Sequence, residues 1–311
     1  MAAAVETMAY AGEVPWHGLG KRVSADLTPQ EMLVEAGLDW KVGLHDTFSE
    51  IDGEKILMPR KALLRESDNK ILDTVGTGWN PVQNDEAADL FEHYVQSGGM
   101  KMHTAGSLLD GQIVWFLAKV DESFELFKGD VVDSFLLFSN PHKYGKAIDV
   151  AFTPIRVVCN NTLRLSLSMG SKNAVKLSHR KAFDAESVKE TLNIASMKLD
   201  TYRDFAAFLG SKQYTRDTLI DFFNQTFPVA GSDPKKESSK NAVRALEVVE
   251  EQPGTEFAPG SWWQAFNAVT FMADHELGRN VDNRLQSAWF GTGVDMKTNT
   301  LKRAVEFAEA A

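Results

Sequence analysis

Apolar positions in the first part of the chain fall mainly into short extended runs; from Asp184 onward they recur at helical spacing. Thr28-Pro29-Gln30-Glu31 reads as a capping box with proline at the first helical position, predicting a short helix to about Ala36 that Gly37 stops. Asp39 to Phe48, Lys55 to Arg65 and Lys70 to Gly76 are expected to be extended, with Ser67-Asp68-Asn69 turning between the last two. Asn84 is expected to cap a helix through Val95, whose Ala87, Leu90, Phe91, Tyr94 and Val95 share a face, before Gly98-Gly99 ends it. Gly106 to Gly111 then reads as a turn leading into the buried strand Gln112 to Val120. Val131 to Ser139 and Ile148 to Val158 read as further strands, with Asn140 to Gly145 as a polar loop between them. Pro154 marks an edge or bulge, and Asn160 or Asn161 can cap a helix over Thr162 to Met169.

Beyond that point Val188, Leu192, Ala195, Leu199, Tyr202, Ala206 and Leu209 follow a 4-3-4-3 spacing. This is a seam on one long helix ending at Gly210, able to pack on the chain's own core or on another subunit. Further helices are predicted at Thr215–Thr226, Lys240–Glu251, Ser261–His275, Asp282–Trp289 and Met296–Ala310, with turns at Pro253-Gly254 and Pro259-Gly260. A mobile loop is expected near residues 231–239. Strands first and helices after predict an α+β fold, with a strand-rich core over 1–181 containing interspersed helices and a helical region over 182–311.

Composition changes this picture at one place. The 311 residues are 43% hydrophobic and 24% charged, which is ordinary globular usage, and the lone Cys159 cannot form an internal disulfide. No apolar run is long enough to span a bilayer, and Met1 to Gly12 lacks a basic start, so the expected location is the cytoplasm. The net charge is −10, yet Asn140 to Lys181 carries Lys143, Lys146, Arg156, Arg164, Lys172, Lys176, Arg180 and Lys181 against the single acid Asp149. That stretch holds +7 and the remainder −17. Clustered cations favour an anionic partner; the alternative is a solvated face balanced by acids elsewhere in the fold.

Enzyme chemistry finds little support. Cys159 with His142 or His179 and Asn160 or Asn161 has the residue types of a nucleophile, base and orienting amide, but a cysteine after Val157-Val158 is more simply a small buried hydrophobe. The histidines at 17, 45, 93, 103, 142, 179 and 275 show no metal-ligand spacing, and Asp274-His275-Glu276 is expected to cap a helix end. Gly18-Leu19-Gly20-Lys21 lacks the Ser or Thr of a phosphate loop, and Gly76-Thr77-Gly78 lacks the third glycine of a dinucleotide fingerprint. No metal or cofactor is expected. Tyr144, between Lys143 and Lys146, is a candidate stacking residue, while Phe138 and Phe152 alternate as strand core.

Several stretches together carry a family resemblance. They are Pro15-Trp16-His17-Gly18-Leu19-Gly20, Val82-Gln83-Asn84, Ala105-Gly106-Ser107-Leu108 leading to Gly111, and Thr153 to Leu163. Trp263 to His275, with Asn267-Ala268-Val269-Thr270, and Phe290-Gly291 followed by Lys297 and Lys302 continue it. Across nearly its whole length the chain resembles a family of phage- and plasmid-like proteins of unknown function. The resemblance implies a mobile-element setting inside a bacterial cell and no assigned activity.

The expected function is therefore a nucleic-acid-binding accessory protein, similar in role to phage single-strand annealing proteins. The eight basic residues would neutralise phosphates of single-stranded DNA, and the seam at Val188, Leu192, Leu199, Tyr202 and Leu209 would assemble protomers. The rival expectations are a structural or regulatory protein that binds a protein partner and, behind it, an enzyme using Cys159.

Overall fold

In a computed structural model of the chain, the described residues are 5–12, 19–96, 99–156, 176–180, 201–229, 237–278, 284, 287–288 and 291–310. They form an α+β protein with a strand-rich N-terminal half and a helical C-terminal half. The chain divides into two units. Among the described residues the first comprises those up to Asp121 together with 135–151 and 176–180. The second comprises 122–134, 152–156 and those from 201 onward.

Among the described residues ten strands make two sheets. The larger sheet has the order β10-β9-β8-β7-β6-β1-β2. Its strands are β1 (Val5–Ala11), β2 (Lys21–Val23), β6 (Met100–Leu108), β7 (Ile113–Glu125), β8 (Val131–Pro141), β9 (Ile148–Arg156) and β10 (Lys176–Leu177). The smaller is an antiparallel meander of β3 (Val42–Ile51), β4 (Glu54–Arg65) and β5 (Lys70–Gly76). The three extended runs expected at Asp39, Lys55 and Lys70 are these strands. β1, β2 and β6 carry no comparable signal. In β6 the cause is visible: Gly106 lies inside the strand, not in the turn expected there, because it pairs with Trp115. A Cβ at Gly106 would lie 2.4 Å from the Trp115 ring and 2.5 Å from the Thr7 carbonyl oxygen. The turn takes only the last part of the expected stretch, at Leu109, Asp110 and Gly111, all with left-handed backbone.

Helix α1 (Pro29–Glu35) begins as its sequence dictates, with Thr28 and Glu31 closing a reciprocal capping box. It packs beside α2 (Asn84–Gln96), and Gln30 Nε2 donates to Asp89 Oδ1 at 2.6 Å. Phe91 of α2 reaches the sheet at Phe116 and Phe138, with ring centroids 6.1 and 6.3 Å away. Arg65 of β4 is buried, lies over the Trp40 ring and donates to both Glu6 and Asp68.

The second unit is built on buried aromatics. Helix α3 covers residues 201–211, followed by α4 (Arg216–Thr226), α5 (Lys240–Glu251), α6 (Trp262–Phe271) and α7 (Thr292–Ala310). Thr215, Ser239 and Ser261 cap α4, α5 and α6 through side-chain oxygens that accept from the first turn. Trp262 packs against Tyr214, Phe222 and Phe307, and Trp263 against Tyr202, Phe127 and Phe266. α3 ends one residue beyond the expected Gly210. The helix continues to Ser211, and a Cβ at Gly210 would lie 2.4 Å from the Phe127 ring. The expected helices at Thr162–Met169 and most of Asp282–Trp289 lie outside the described residues, as does most of the 231–239 loop.

Candidate functional site

The end of β8 holds the greatest concentration of buried polar side chains in the first unit. Asn140 and His142 lie two residues apart and turn the same way along the chain, and both are fully buried. Asn140 Nδ2 donates to the Val82 carbonyl at 2.8 Å, and His142 Nε2 lies 3.0 Å from Asn84 Oδ1. Asn84 Nδ2 donates to the Leu38 carbonyl at 2.9 Å, which leaves Oδ1 as the acceptor and puts the His142 proton on Nε2. Asn84 is thus the first residue of α2 and a bridge between three chain segments. The helix begins at Asn84 itself, so the residue before it is Gln83, whose N–H donates to the Glu86 carboxylate at 2.8 Å, and Asn84 Oδ1 faces His142.

A second imidazole joins from the other side. His179 is buried and stacks on Trp79 with centroids 4.2 Å apart. Its Nδ1 faces the Asn80 carbonyl at 3.4 Å, while Asn80 N–H donates to the His179 carbonyl. Burial holds the His142 pKa down to about 3, and the nearby His179 adds to the effect. Burial likewise brings His179 down to about 4, opposed by the backbone carbonyls of Asn80 and Pro141. Both rings are therefore neutral at physiological pH. His142 Nδ1, His179 Nε2, Asn140 Oδ1 and Trp79 Nε1 make no hydrogen bond among the described residues.

Above this cluster runs the loop joining β8 to β9. Lys143 is half-buried, and its Nζ donates to Gln112 Oε1 at 3.1 Å; Tyr144 and Lys146 are exposed. Tyr144 N–H donates to Asp73 Oδ2 at 2.8 Å, and the Arg60 guanidinium sits 4.9 Å from the Tyr144 ring centre. Arg60 is a contribution that its distance along the sequence concealed. Arg180 follows His179, so the contacts of His179 with the 79–80 and 141 backbone bring a further exposed cation to the same end of the unit. Lys176 pairs across β10 and β9 with Asp149, the one acid of the basic segment.

The other expected site residues are distributed less fully. Arg156 lies on β9 in the second unit, and Arg164, Lys172, Lys181 and Cys159 fall outside the described residues. So do Val188, Leu192 and Leu199 of the seam. Its Tyr202 and Leu209 are described, and both are buried inside the second unit, Tyr202 against Phe124 and Trp263.

A second buried site was misread from sequence. Met272–Glu276 is a π-helical turn in which the Leu277 N–H reaches back to the Met272 carbonyl. It carries Asp274 inward, so Asp274 is not a helix-end cap: it accepts from Lys297 Nζ of α7 at 2.7 Å, with both side chains fully buried. Burial lowers the Lys297 pKa, and Asp274 opposes that shift.

Fold and site together define an α+β protein that carries a basic, aromatic-bearing loop on a neutral buried histidine cluster. The chain belongs to the DUF932 family, a domain of unknown function whose family model matches residues 71–289. The cluster, its loop and Asp274 lie inside that match; β1 to β4 and Lys297 lie outside it. No curated protein and no solved structure is significantly similar to the chain. Among the described residues no helix is long and apolar enough to cross a membrane.

Proposed function

We propose that the protein is a nucleic-acid-binding accessory that holds single-stranded DNA through the β8–β9 loop and the basic segment that follows it. The observation that carries this reading is the exposed Tyr144 ring, with Arg60 over it and Lys143 and Lys146 on either side in the chain. An aromatic ring among cations offers one base a stacking surface and its flanking phosphates a counter-charge, without reading sequence. The support beneath suits that task. His142 and Asn140 anchor the loop's start through Asn84 and Val82, and Asp73 fixes the Tyr144 backbone. The similarity of Thr153 to Leu163 to phage and plasmid proteins favours a role in the recombination or replication of a mobile element. The action is electrostatic and non-catalytic: phosphates exchange condensed counterions for lysine and arginine, and the bases stay available for pairing.

Fluorescence anisotropy with a labelled oligonucleotide at 50 and 300 mM salt tests this. The wild-type affinity is expected to fall steeply with salt. Lys143→Gln with Lys146→Gln should flatten the log–log slope by about 1.4, the value for two phosphate contacts on a single strand. Tyr144→Ala should weaken binding by about 1–3 kcal/mol at either salt. Absence of binding at 50 mM, or an affinity indifferent to salt, refutes the proposal.

A further inference from the structure

Tyr144 stands on a loop between strands, yet its backbone and its ring are both held, and by one dipeptide of β5. Asp73 Oδ2 accepts from Tyr144 N–H at 2.8 Å, while Asp73 Oδ1 accepts from Thr74 N–H at 2.7 Å. The Thr74 carbonyl in turn accepts from Arg60 Nη2. Arg60 is tied at its backbone as well, where Thr47 Oγ1 donates to its carbonyl at 2.7 Å. The guanidinium fixed in this way lies over the Tyr144 ring, 4.9 Å from its centre. Gln112 joins the same support. Its carbonyl accepts from His142 N–H at 2.8 Å, and its Nε2 donates to the carbonyl of Leu72, the residue before Asp73, at 2.6 Å. All of these residues belong to the first unit.

The arrangement separates two things a cation can do beside an aromatic ring. A cation that meets a phosphate acts through its charge, and lysine serves as well as arginine for that. A cation that backs a ring acts through its shape: the planar guanidinium can donate to a carbonyl and still lie flat on the aromatic face, which an ammonium cannot. Arg60 has the second geometry. Tyr144 keeps 56% exposure with Arg60 over one face, so its other face is open to solvent. A base arriving there meets a ring already ordered, and less side-chain freedom is lost on binding. Inside a duplex each base has a neighbour on both faces, so such a surface takes an unstacked base.

We infer that Arg60 and Asp73 are positioning residues that make Tyr144 a preformed, one-sided shelf for a single unstacked base. Arg60 backs the ring, Asp73 fixes its backbone, and neither reaches a phosphate in this role. The inference rests on the reading of the β8–β9 loop as a single-strand site. It adds that part of the site's affinity is geometric, set by β4 and β5, and independent of salt.

Anisotropy of the full chain with the same labelled oligonucleotide tests it, each variant being set beside a protein of equal charge and checked by circular dichroism melting. Arg60→Lys keeps the charge and loses the plane. It should weaken binding about threefold at both salt concentrations, the size of an exposed cation–π contact, and leave the salt slope as it was. In a Tyr144→Ala background the same change should do nothing further, because no ring is left to back. Asp73→Ala and Asp73→Asn are both neutral, and only asparagine keeps an acceptor for the Tyr144 N–H. The asparagine variant should therefore bind about fivefold more tightly than the alanine variant at either salt. A wild type that does not bind removes the single-strand reading and this inference with it. If the wild type binds and Tyr144→Ala weakens it, three results overturn the inference alone. They are Arg60→Lys binding like the wild type, its loss persisting without the ring, and equal binding by the two Asp73 variants.

Discussion

The two units bury ionisable groups by opposite means. In the strand-rich unit His142 and His179 lie in an environment that keeps them uncharged, so burial costs little at neutral pH and is paid in acid. In the helical unit Lys297 stays beside Asp274, charge against charge, with both side chains at 0% exposure. A neutral buried imidazole needs hydrogen-bond partners, which Asn84 and the Asn80 carbonyl supply. A buried ammonium needs a counter-ion at close range, and the π-turn presents one. The first arrangement responds to acid; the second is intolerant of losing either member, because the one left behind is a buried charge without its partner.

The sharpest way to break that contrast is Lys297→Met. Leaving Asp274 buried without its cation should cost about 3–5 kcal/mol in denaturant unfolding, and pairing it with Asp274→Leu should recover most of the loss. If the single variant costs no more than a surface change, the pair is not what holds α7 to the π-turn. A smaller effect should appear on acidification. Both histidine pKa values are depressed in the folded state, so their full contribution is present above the unfolded value near 6.5 and is lost as pH falls from there toward 4 and 3. At pH 5.5 each should cost about 1.4 kcal/mol. Hydrogen exchange should show the loss in the strand-rich unit while the 262–276 region keeps its protection. Equal loosening of both would erase the distinction. Smallest of all, Thr28→Ala in the first unit and Ser261→Ala in the second should each cost about 1 kcal/mol, because capping works the same way in both. A marked asymmetry would mean one cap has a tertiary role.

Much of the scaffold was legible where the signal is local. The capping box at Thr28, the helices expected at Thr215–Thr226 and Lys240–Glu251 and the strands expected over Lys55–Arg65 and Lys70–Gly76 follow from neighbouring residues alone. β6 was not, because its interior glycine owes its place to Trp115, nine positions away on another strand. Asn84 and Asp274 failed for the same reason. Each has a residue type that favours a helix end, and each is claimed by a distant partner, His142 at a separation of 58 residues and Lys297 at 23. Of the candidate interface, the run Lys143–Lys146 was legible as charge. The contribution of Arg60 needed the fold, since nothing in Pro59-Arg60-Lys61 points toward Tyr144.

The bond between Asn80 and His179 spans 99 residues of chain. During synthesis the segment around Trp79 and Asn80 must wait for that distance to be translated before its stacking partner exists. At about 5–20 residues per second the wait is some five to twenty seconds. Helices α4 to α6 also make contacts within a few tens of residues, such as Phe222 with Trp262 and Gln264 with Val249, which can form as soon as those residues are made. The Trp79–Asn80 segment leaves the ribosome early and closes late.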